Sequence, residues 1–154
     1  MRNFLRPTSR VRLLAIVLGL GWAPSLLAQP FPFNGRWLPD NPPAAPPGYT
    51  ALTVKGATLT WSGPTKSAPK CVQQFELKNE KPGTVYVDGR GTKFVSGVPG
   101  SIPTYLLKIS DSTCGNAGED LRIRYPLVYD VTHIEIIEYV NGKPVTSRRF
   151  HRKK

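Results

Sequence analysis

The sequence predicts an all-β domain of about eight to ten short antiparallel strands. Short runs rich in β-branched and aromatic residues recur along the chain, and its 16 prolines and 14 glycines fall largely between them. Several runs alternate apolar and polar residues with the period of a half-buried strand. No stretch combines sustained helical periodicity with capping residues. We expect the strands to form one small barrel, with a β-sandwich as the alternative.

The first segment, residues 1–28, has the three parts of a secretory signal peptide. Four arginines precede an apolar run from Leu13 to Leu20, and Ala28 supplies a small residue at the expected cleavage point. The continuously apolar stretch ends before Pro24, so it is shorter than the roughly 20 residues that a helix needs to cross a bilayer. We therefore predict cleavage after Ala28, an exported chain that is periplasmic or secreted, and no membrane-spanning segment.

The remaining residues, 29–154, have the size of a single domain and contain two cysteines, Cys71 and Cys114. Two cysteines in an exported protein usually pair, so we predict a structural disulfide. Closing a loop of this length is worth about 4 kcal/mol in the chain-entropy model. A redox or metal-binding pair, the alternative, normally has C-x-x-C spacing or histidine partners nearby.

The end of the chain is strongly basic. The formal net charge of the whole chain is +11, and five cations lie within residues 148–154. We interpret this segment as a solvated basic tail. The alternative is a tail that binds an anionic surface such as lipopolysaccharide or phospholipid. Export argues against nucleic acid as a partner.

The strands are predicted in the following order. Residues 33–38 form the first, and the proline-rich segment 39–48 follows as a surface loop, because prolines cannot occupy a helix or a central strand. Thr50 to Trp61 forms a hairpin that turns at Lys55-Gly56. Asp88-Gly89-Arg90-Gly91 is a hairpin turn, since a phosphate-binding loop would need a helix after it. Further strands are predicted at 71–77, 84–87, 93–95, 104–109 and 121–125.

The terminal hairpin, residues 130–150, is the strongest local signal. Val131 to Val140 is rich in β-branched and aromatic residues. Asn141-Gly142 follows, the dipeptide best suited to a type I′ turn. A two-residue turn predicts a strict register in which the facing pairs include Val140 with Lys143, Tyr139 with Pro144, Glu135 with Arg148, and His133 with Phe150.

The sequence contains no pattern typical of a catalytic or metal site. His133 and His151 are its only histidines, whereas zinc requires three or four convergent ligands. No serine lies in a recognisable nucleophile elbow, and the cysteines are expected to be oxidised. We therefore predict a protein that is not an enzyme and that has no catalytic residues, metal or cofactor.

Leu121 to Tyr125 alternates so that Arg122 and Arg124 share one face of a strand and the apolar residues share the other. If the two arginines pointed into a barrel, they would line a site for an anionic ligand. If they pointed outwards, they would form a solvated face, which is the more common outcome. Together with Tyr105 and Tyr125, they are our candidate ligand-binding residues.

Gly35-x-Trp37, at the start of the first strand, resembles the G-x-W motif that opens lipocalins and related calycin barrels. In that family the tryptophan closes one end of the barrel and a C-terminal arginine packs across its indole. The resemblance implies that Arg149 or Arg152 packs on the tryptophan in this chain. The order of short antiparallel strands also resembles the small lipocalin-like domains of bacterial envelope proteins. The resemblance implies a barrel that binds a ligand, with Gly35, Trp37 and the arginine in structural roles.

We therefore expect an exported monomer of the cell envelope that holds a small amphipathic or anionic ligand in a β-barrel. The alternative is a protein-interaction module, such as an inhibitor or accessory factor. Such a module would bind an envelope protein through its loops at 63–69, 96–103 and 111–120.

Overall fold

A computed structural model describes residues 31–41, 48–115, 117–127 and 130–154. The predicted signal peptide and most of the proline-rich segment lie outside the described residues. Within these ranges the chain forms strands and no helix, which confirms the all-β prediction. The strands are β1 (Gly35–Pro39), β2 (Ala51–Lys55), β3 (Thr58–Ser62), β4 (Lys70–Lys78), β5 (Val85–Val87), β6 (Lys93–Val95), β7 (Thr104–Ser112), β8 (Asp120–Arg124), β9 (His133–Val140) and β10 (Lys143–Arg152).

Eight of these strands form a closed antiparallel barrel in the order β1-β10-β9-β8-β7-β4-β3-β2. The first strand closes it, because β1 pairs with β2 on one side and with β10 on the other. The barrel prediction is confirmed and the sandwich alternative is wrong. The two remaining strands, β5 and β6, form a separate two-stranded hairpin.

The hydrophobic core lies inside the barrel, where every second residue of each strand points. Its deepest side chains are fully buried, and such burial stabilises the fold by about 1.5–3 kcal/mol for each large apolar residue. The core cluster draws on strands all around the barrel, as shown by Trp37, Leu52, Leu59, Trp61, Phe75, Leu107, Ile123, Ile134, Ile136 and Phe150.

Aromatic rings ahead of β1 close one end of the barrel, which we call the floor. Phe33 is fully buried. Its ring stacks on Phe31 with centroids 5.1 Å apart, and its centroid lies 4.9 Å from that of Tyr105. Trp37 donates a hydrogen bond from Nε1 to the carbonyl oxygen of Phe33 at 2.9 Å. The short segment before β1 is therefore held inside the barrel.

Arg152, near the end of β10, covers this floor. Its guanidinium carbon lies 4.3 Å from the centroid of the Trp37 ring, a cation–π contact. The same group donates to the carbonyl oxygens of Asn34 and Pro32 at 2.7 and 3.0 Å. Gly35 has a φ of +145°, and a Cβ there would lie 2.6 Å from Nη1 of Arg152. Of the two candidate arginines, Arg152 packs on the tryptophan, whereas Arg149 is exposed.

The terminal hairpin is present, but its predicted register is correct only next to the turn. Val140 pairs with Lys143 and Tyr139 with Pro144, and a bulge at Val145 then shifts the register by one residue. The predicted pairs Glu135–Arg148 and His133–Phe150 are therefore wrong, and the pairs formed are Glu135–Arg149, Ile134–Phe150 and His133–His151. A shift by one residue exchanges the two faces of a strand. The bulge thereby points Phe150 into the core, where it is fully buried.

The hairpin of β2 and β3 differs from its prediction in a simpler way. The turn lies at Gly56-Ala57, so that Val54 pairs with Leu59 and Leu52 with Trp61. This register differs by two residues from the predicted one. Because side chains alternate with a period of two, the same apolar residues still point into the barrel.

The basic segment 148–154 is not a tail along most of its length. Arg148 to Arg152 belong to β10, and they pair with β9 on one side and, near their end, with β1 on the other. Two lysines, Lys153 and Lys154, follow the strand. The interpretation as a tail was wrong for the strand residues because the barrel needs this last stretch to close.

The predicted disulfide is confirmed. Cys71 in β4 is bonded to Cys114, which follows β7, and their Cα atoms are 5.3 Å apart. The bond joins neighbouring strands at the end of the barrel opposite the floor. Across the described ranges, no helix has the length and apolar character needed to span a membrane.

Candidate ligand site at the open end of the barrel

The end of the barrel opposite the floor, which we call the mouth, contains a cavity of about 270 Å³. β7 and β8 run between the two ends. Tyr105 and Tyr125 lie at the floor, whereas Ile109 and Leu121 line the cavity. The rings and branched side chains below the cavity fill the rest of the barrel. A ligand could therefore enter the mouth but could not reach the floor.

One wall of the cavity is apolar. Trp61, Ile109 and Leu121 are almost completely buried, and they point inwards because each occupies an inner position of its strand. The disulfide continues this wall through Cys71, and Tyr49 borders it just before β2. Such a wall can accept an aromatic or aliphatic group.

Gln73 supplies a polar group inside this apolar wall. It is 5% exposed, and its Oε1 accepts a hydrogen bond from Nε1 of Trp61 at 2.9 Å. This bond orients the amide, because it uses the oxygen and leaves the NH₂ group as the free end. Among the described residues no hydrogen-bond partner of that NH₂ group is found. The amide can therefore donate to an acceptor in the cavity.

Glu138 brings a charge to the inner face of the mouth. Its carboxylate accepts hydrogen bonds from Oγ1 of Thr146 at 2.7 Å and from Nη1 of Arg148 at 3.2 Å. The side chains of Arg148 and Glu138 are 20% and 25% exposed, so this ion pair is partly screened by water. The pair holds the carboxylate in place on the cavity wall.

Two further carboxylates lie on the described part of the rim. Glu119 accepts a hydrogen bond from the backbone of Asn141 at 3.2 Å, and Asp120 pairs with Lys78 at 3.1 Å. Both acids line the cavity, whereas no lysine or arginine among the described residues does. Glu138 and Asp120 are paired with Arg148 and Lys78, and within the described ranges Glu119 has no cationic partner, so the mouth is weakly acidic.

The structure places Arg122 on the outer face of the barrel, not in its interior. The β5–β6 hairpin covers this face, and the guanidinium carbon lies 4.0 Å from the centroid of the Tyr86 ring. Arg122 is 2% exposed and forms a two-pronged ion pair with Glu80 at 2.5 and 2.6 Å. Burial acts to lower the pKa of Arg122, but the hydrogen bond and charge of Glu80 outweigh it and raise the pKa.

Arg124 lies beside it under the same hairpin. Its guanidinium carbon is 3.8 Å from the centroid of the Phe94 ring. Its Nη2 and Nε lie 2.5 and 2.7 Å from Oε2 of Glu135. Oδ2 of Asp88 lies 3.6 Å from the same Nη2. Neither of the two expected orientations describes these arginines, because they point outwards and yet are buried. Their charges are paired with carboxylates of the protein itself.

The other two candidates, Tyr105 and Tyr125, lie together on the inner face at the floor. Tyr125 is 4% exposed, and burial, together with the neighbouring Tyr105, raises its pKa to about 12. Within the described residues, its hydroxyl group has no hydrogen-bond partner. The structure thus places Tyr105 beside Tyr125 and Arg122 beside Arg124. Both pairs lie away from the mouth.

The polar residues of the mouth were not identified from the sequence, although a signal was present. Gln73 shares a strand face with Cys71 and Phe75, and Glu138 shares one with Ile134 and Ile136. A polar residue in an apolar alternation marks either the end of the buried stretch or a functional position. Which of the two applies depends on whether a cavity lies beside the residue, and the sequence pattern does not show cavities.

The architecture defines a class of protein. A closed barrel of eight antiparallel strands, with Trp37 at its floor and Arg152 across the indole, is compatible with a lipocalin-like fold. Comparisons with protein-family models, with curated proteins and with solved structures gave no match. The class is therefore defined here by the barrel, its closed floor and its disulfide.

Proposed function

We propose that this protein is an exported, non-enzymatic binding protein that holds a small amphipathic ligand at the mouth of its barrel. The supporting observation is the cavity of about 270 Å³, which remains open at the mouth although the rest of the barrel is filled. An apolar wall with a few placed polar groups is the usual composition of a ligand pocket.

The size and charge of the cavity narrow the class of ligand. Ligand pockets usually measure about 300–1,000 Å³, so this cavity suits a single ring or the end of an acyl chain. Trp61 and Leu121 would contact the apolar part, and the amide of Gln73 would donate to a carbonyl or ether oxygen. The acidic rim disfavours an anionic head group, so we propose a ligand with a neutral or cationic one.

The disulfide supports the exported location. Such bonds persist in oxidising compartments and are rare in the cytosol. Together with the signal-like segment 1–28, the bond between Cys71 and Cys114 favours a periplasmic or secreted protein.

A pair of matched substitutions at the two ends of β9 tests the site. Val140 lines the cavity and is 41% exposed, so Val140→Trp should fill the mouth without disturbing the core. Val131, which is 60% exposed and lies just before β9 at the floor end, provides Val131→Trp as the control. The uncharged fluorophore N-phenyl-1-naphthylamine, which can insert its phenyl ring into the cavity, is a suitable probe of the wild-type protein.

We expect the probe to bind the wild type, and Val140→Trp to weaken its binding by about tenfold or more, which corresponds to 1.4 kcal/mol. Val131→Trp should bind as the wild type does. Equal affinity of the two variants, or no binding by the wild type, would exclude the mouth as the site.

Exposed valines favour a second candidate, a protein-interaction module. Val85 and Val95 face each other across the β5–β6 hairpin with exposures of 59% and 42%, and Val98 follows in the loop at 37%. This apolar surface adjoins the loop at 96–103. Native mass spectrometry of the protein isolated from its host distinguishes the two candidates. A bound small molecule supports the mouth, whereas a protein partner that is lost in Val95→Asp supports the module.

A further inference from the structure

Two histidines lie side by side on the outer wall of the barrel. His133 in β9 is directly opposite His151 in β10, and their ring centroids are 6.5 Å apart. Their side chains are 41% and 43% exposed, so both rings are accessible to water. The bulge at Val145 creates this pair, because the unshifted register would place Phe150 opposite His133.

Each imidazole is held by a carboxylate on the same ring atom. Nδ1 of His133 lies 2.8 Å from Oδ2 of Asp130, and Nδ1 of His151 lies 2.9 Å from Oδ1 of Asp40. An ionised carboxylate can only accept a hydrogen bond, so Nδ1 donates in both cases. In the neutral ring this places the proton on Nδ1 and leaves a lone pair on Nε2.

The carboxylate of Asp130, which accepts the hydrogen bond from His133, is itself fixed by further hydrogen bonds. Asp130 also accepts hydrogen bonds from Oγ1 and the backbone amide of Thr132, at 2.6 and 2.8 Å. These bonds hold the carboxylate of Asp130 in place beside the ring of His133. A histidine that binds a metal usually donates its other N–H to such a carboxylate. Among the described residues, no group hydrogen-bonds to either Nε2 atom.

We propose that His133 and His151 bind a divalent transition-metal ion through their Nε2 atoms, with Asp130 and Asp40 orienting the rings. Metal–nitrogen bonds of about 2.0–2.1 Å require the two Nε2 atoms to lie no more than about 4 Å apart. Centroids at 6.5 Å allow this when both Nε2 atoms turn towards each other. A tetrahedral or square arrangement needs the exposed rings to approach by about 1 Å more.

The kind of ion follows from the ligands. The described residues contain no group of three or more potential metal ligands, so solvent water would complete the coordination. Imidazole nitrogen suits copper, nickel and zinc, and the general order of affinity places Cu²⁺ above the other two. The neighbour of His151 on its other side is the uncharged Leu38. The two aspartates together offset the charge of a divalent ion, and the cations that flank His151 on the same face, Arg149 and Lys153, are exposed to water.

Titration with the metal ions alone tests the proposal. Isothermal titration calorimetry of the purified, disulfide-bonded protein with Cu²⁺ and with Ni²⁺ should show one site, tighter for Cu²⁺. His133→Ala and His151→Ala should each weaken this site at least tenfold, and Asp130→Asn by about 10–100-fold, the usual cost of losing such a carboxylate. The electron paramagnetic resonance spectrum of the Cu²⁺ complex should show two imidazole nitrogens.

Three results would overturn the proposal. These are wild-type affinity in either single histidine variant, a tight site that survives in the double variant, and a spectrum with one nitrogen or none. Urea unfolding of each variant separates lost binding from lost folding. The two histidine variants should match the wild type, because both rings are exposed. The site is distinct from the mouth, so binding of N-phenyl-1-naphthylamine should not change in the histidine variants.

Discussion

The buried ion pair between Arg124 and Glu135 should be the most sensitive polar contact in the protein. The two side chains are 4% and 3% exposed, and their closest atoms are 2.5 Å apart. Glu135 uses both oxygens, since Oε2 accepts from Arg124 and Oε1 accepts from Ser147. Replacing Glu135 with Gln would therefore leave a guanidinium charge under the β5–β6 hairpin without its main partner.

The expected cost follows from this burial. Breaking a buried ion pair by removing one partner costs about 3–5 kcal/mol. The lower figure applies here, because Asp88 remains 3.6 Å from Arg124 and compensates part of its charge. With a urea m-value of about 1–3 kcal/mol per molar, the unfolding midpoint of Glu135→Gln should fall by roughly 1–3 M.

The assay is equilibrium unfolding in urea, followed by circular dichroism. Glu76→Gln is the matched control, because Glu76 lies on an exposed strand position opposite Lys108 and should change stability by less than about 1 kcal/mol. The double variant Arg124→Met/Glu135→Met should be more stable than Glu135→Gln, since it removes both charges. Equal small losses in Glu135→Gln and the control would refute the reasoning.

Four further predictions concern stability. Replacing Cys71 and Cys114 with Ala should cost up to about 4 kcal/mol, because the bond closes a loop with a sequence separation of 43; urea unfolding measures it. Arg152→Ala should cost about 2 kcal/mol through its lost cation–π and carbonyl contacts, and it should change the tryptophan emission. Gly89→Ala should cost about 1–3 kcal/mol, because a Cβ would lie 2.9 Å from the backbone of Ser147; unchanged thermal stability would contradict this. The pKa of Tyr125 is raised in the folded state to about 12, so its contribution to stability is complete below about pH 10 and is lost as the pH rises towards 12; Tyr125→Phe should reduce this alkaline loss in thermal melts.

Most strands were predictable because their signals are local. Alternation in Leu121 to Tyr125 and the Asn141-Gly142 turn depend on neighbouring residues, and both appear in the structure. The disulfide was predictable because a chain with two cysteines has one possible pairing, and the signal-like segment 1–28 favours an oxidising compartment. The packing of an arginine on Trp37 was predictable from a resemblance, but the choice of Arg152 over Arg149 was not, because it depends on which strand face points inwards.

The register of β10 depends on the whole barrel. A bulge at Val145 has no clear local signal, and it forms because it turns Phe150 into the core and Arg152 towards Trp37. The same shift places His133 opposite His151. The pair of histidines is thus a consequence of tertiary packing, not of a sequence motif.

The candidate site, too, was predictable only in part from the sequence. The alternation in β8 predicted that Arg122 and Arg124 share a face, and they do. Only the tertiary structure decided that the β5–β6 hairpin covers this face, and that the empty volume lies instead at the mouth beside Gln73 and Glu138. Local patterns determine strands and their two faces because alternation is a property of neighbouring residues. Cavities and covered faces are decided by contacts between residues far apart in the chain.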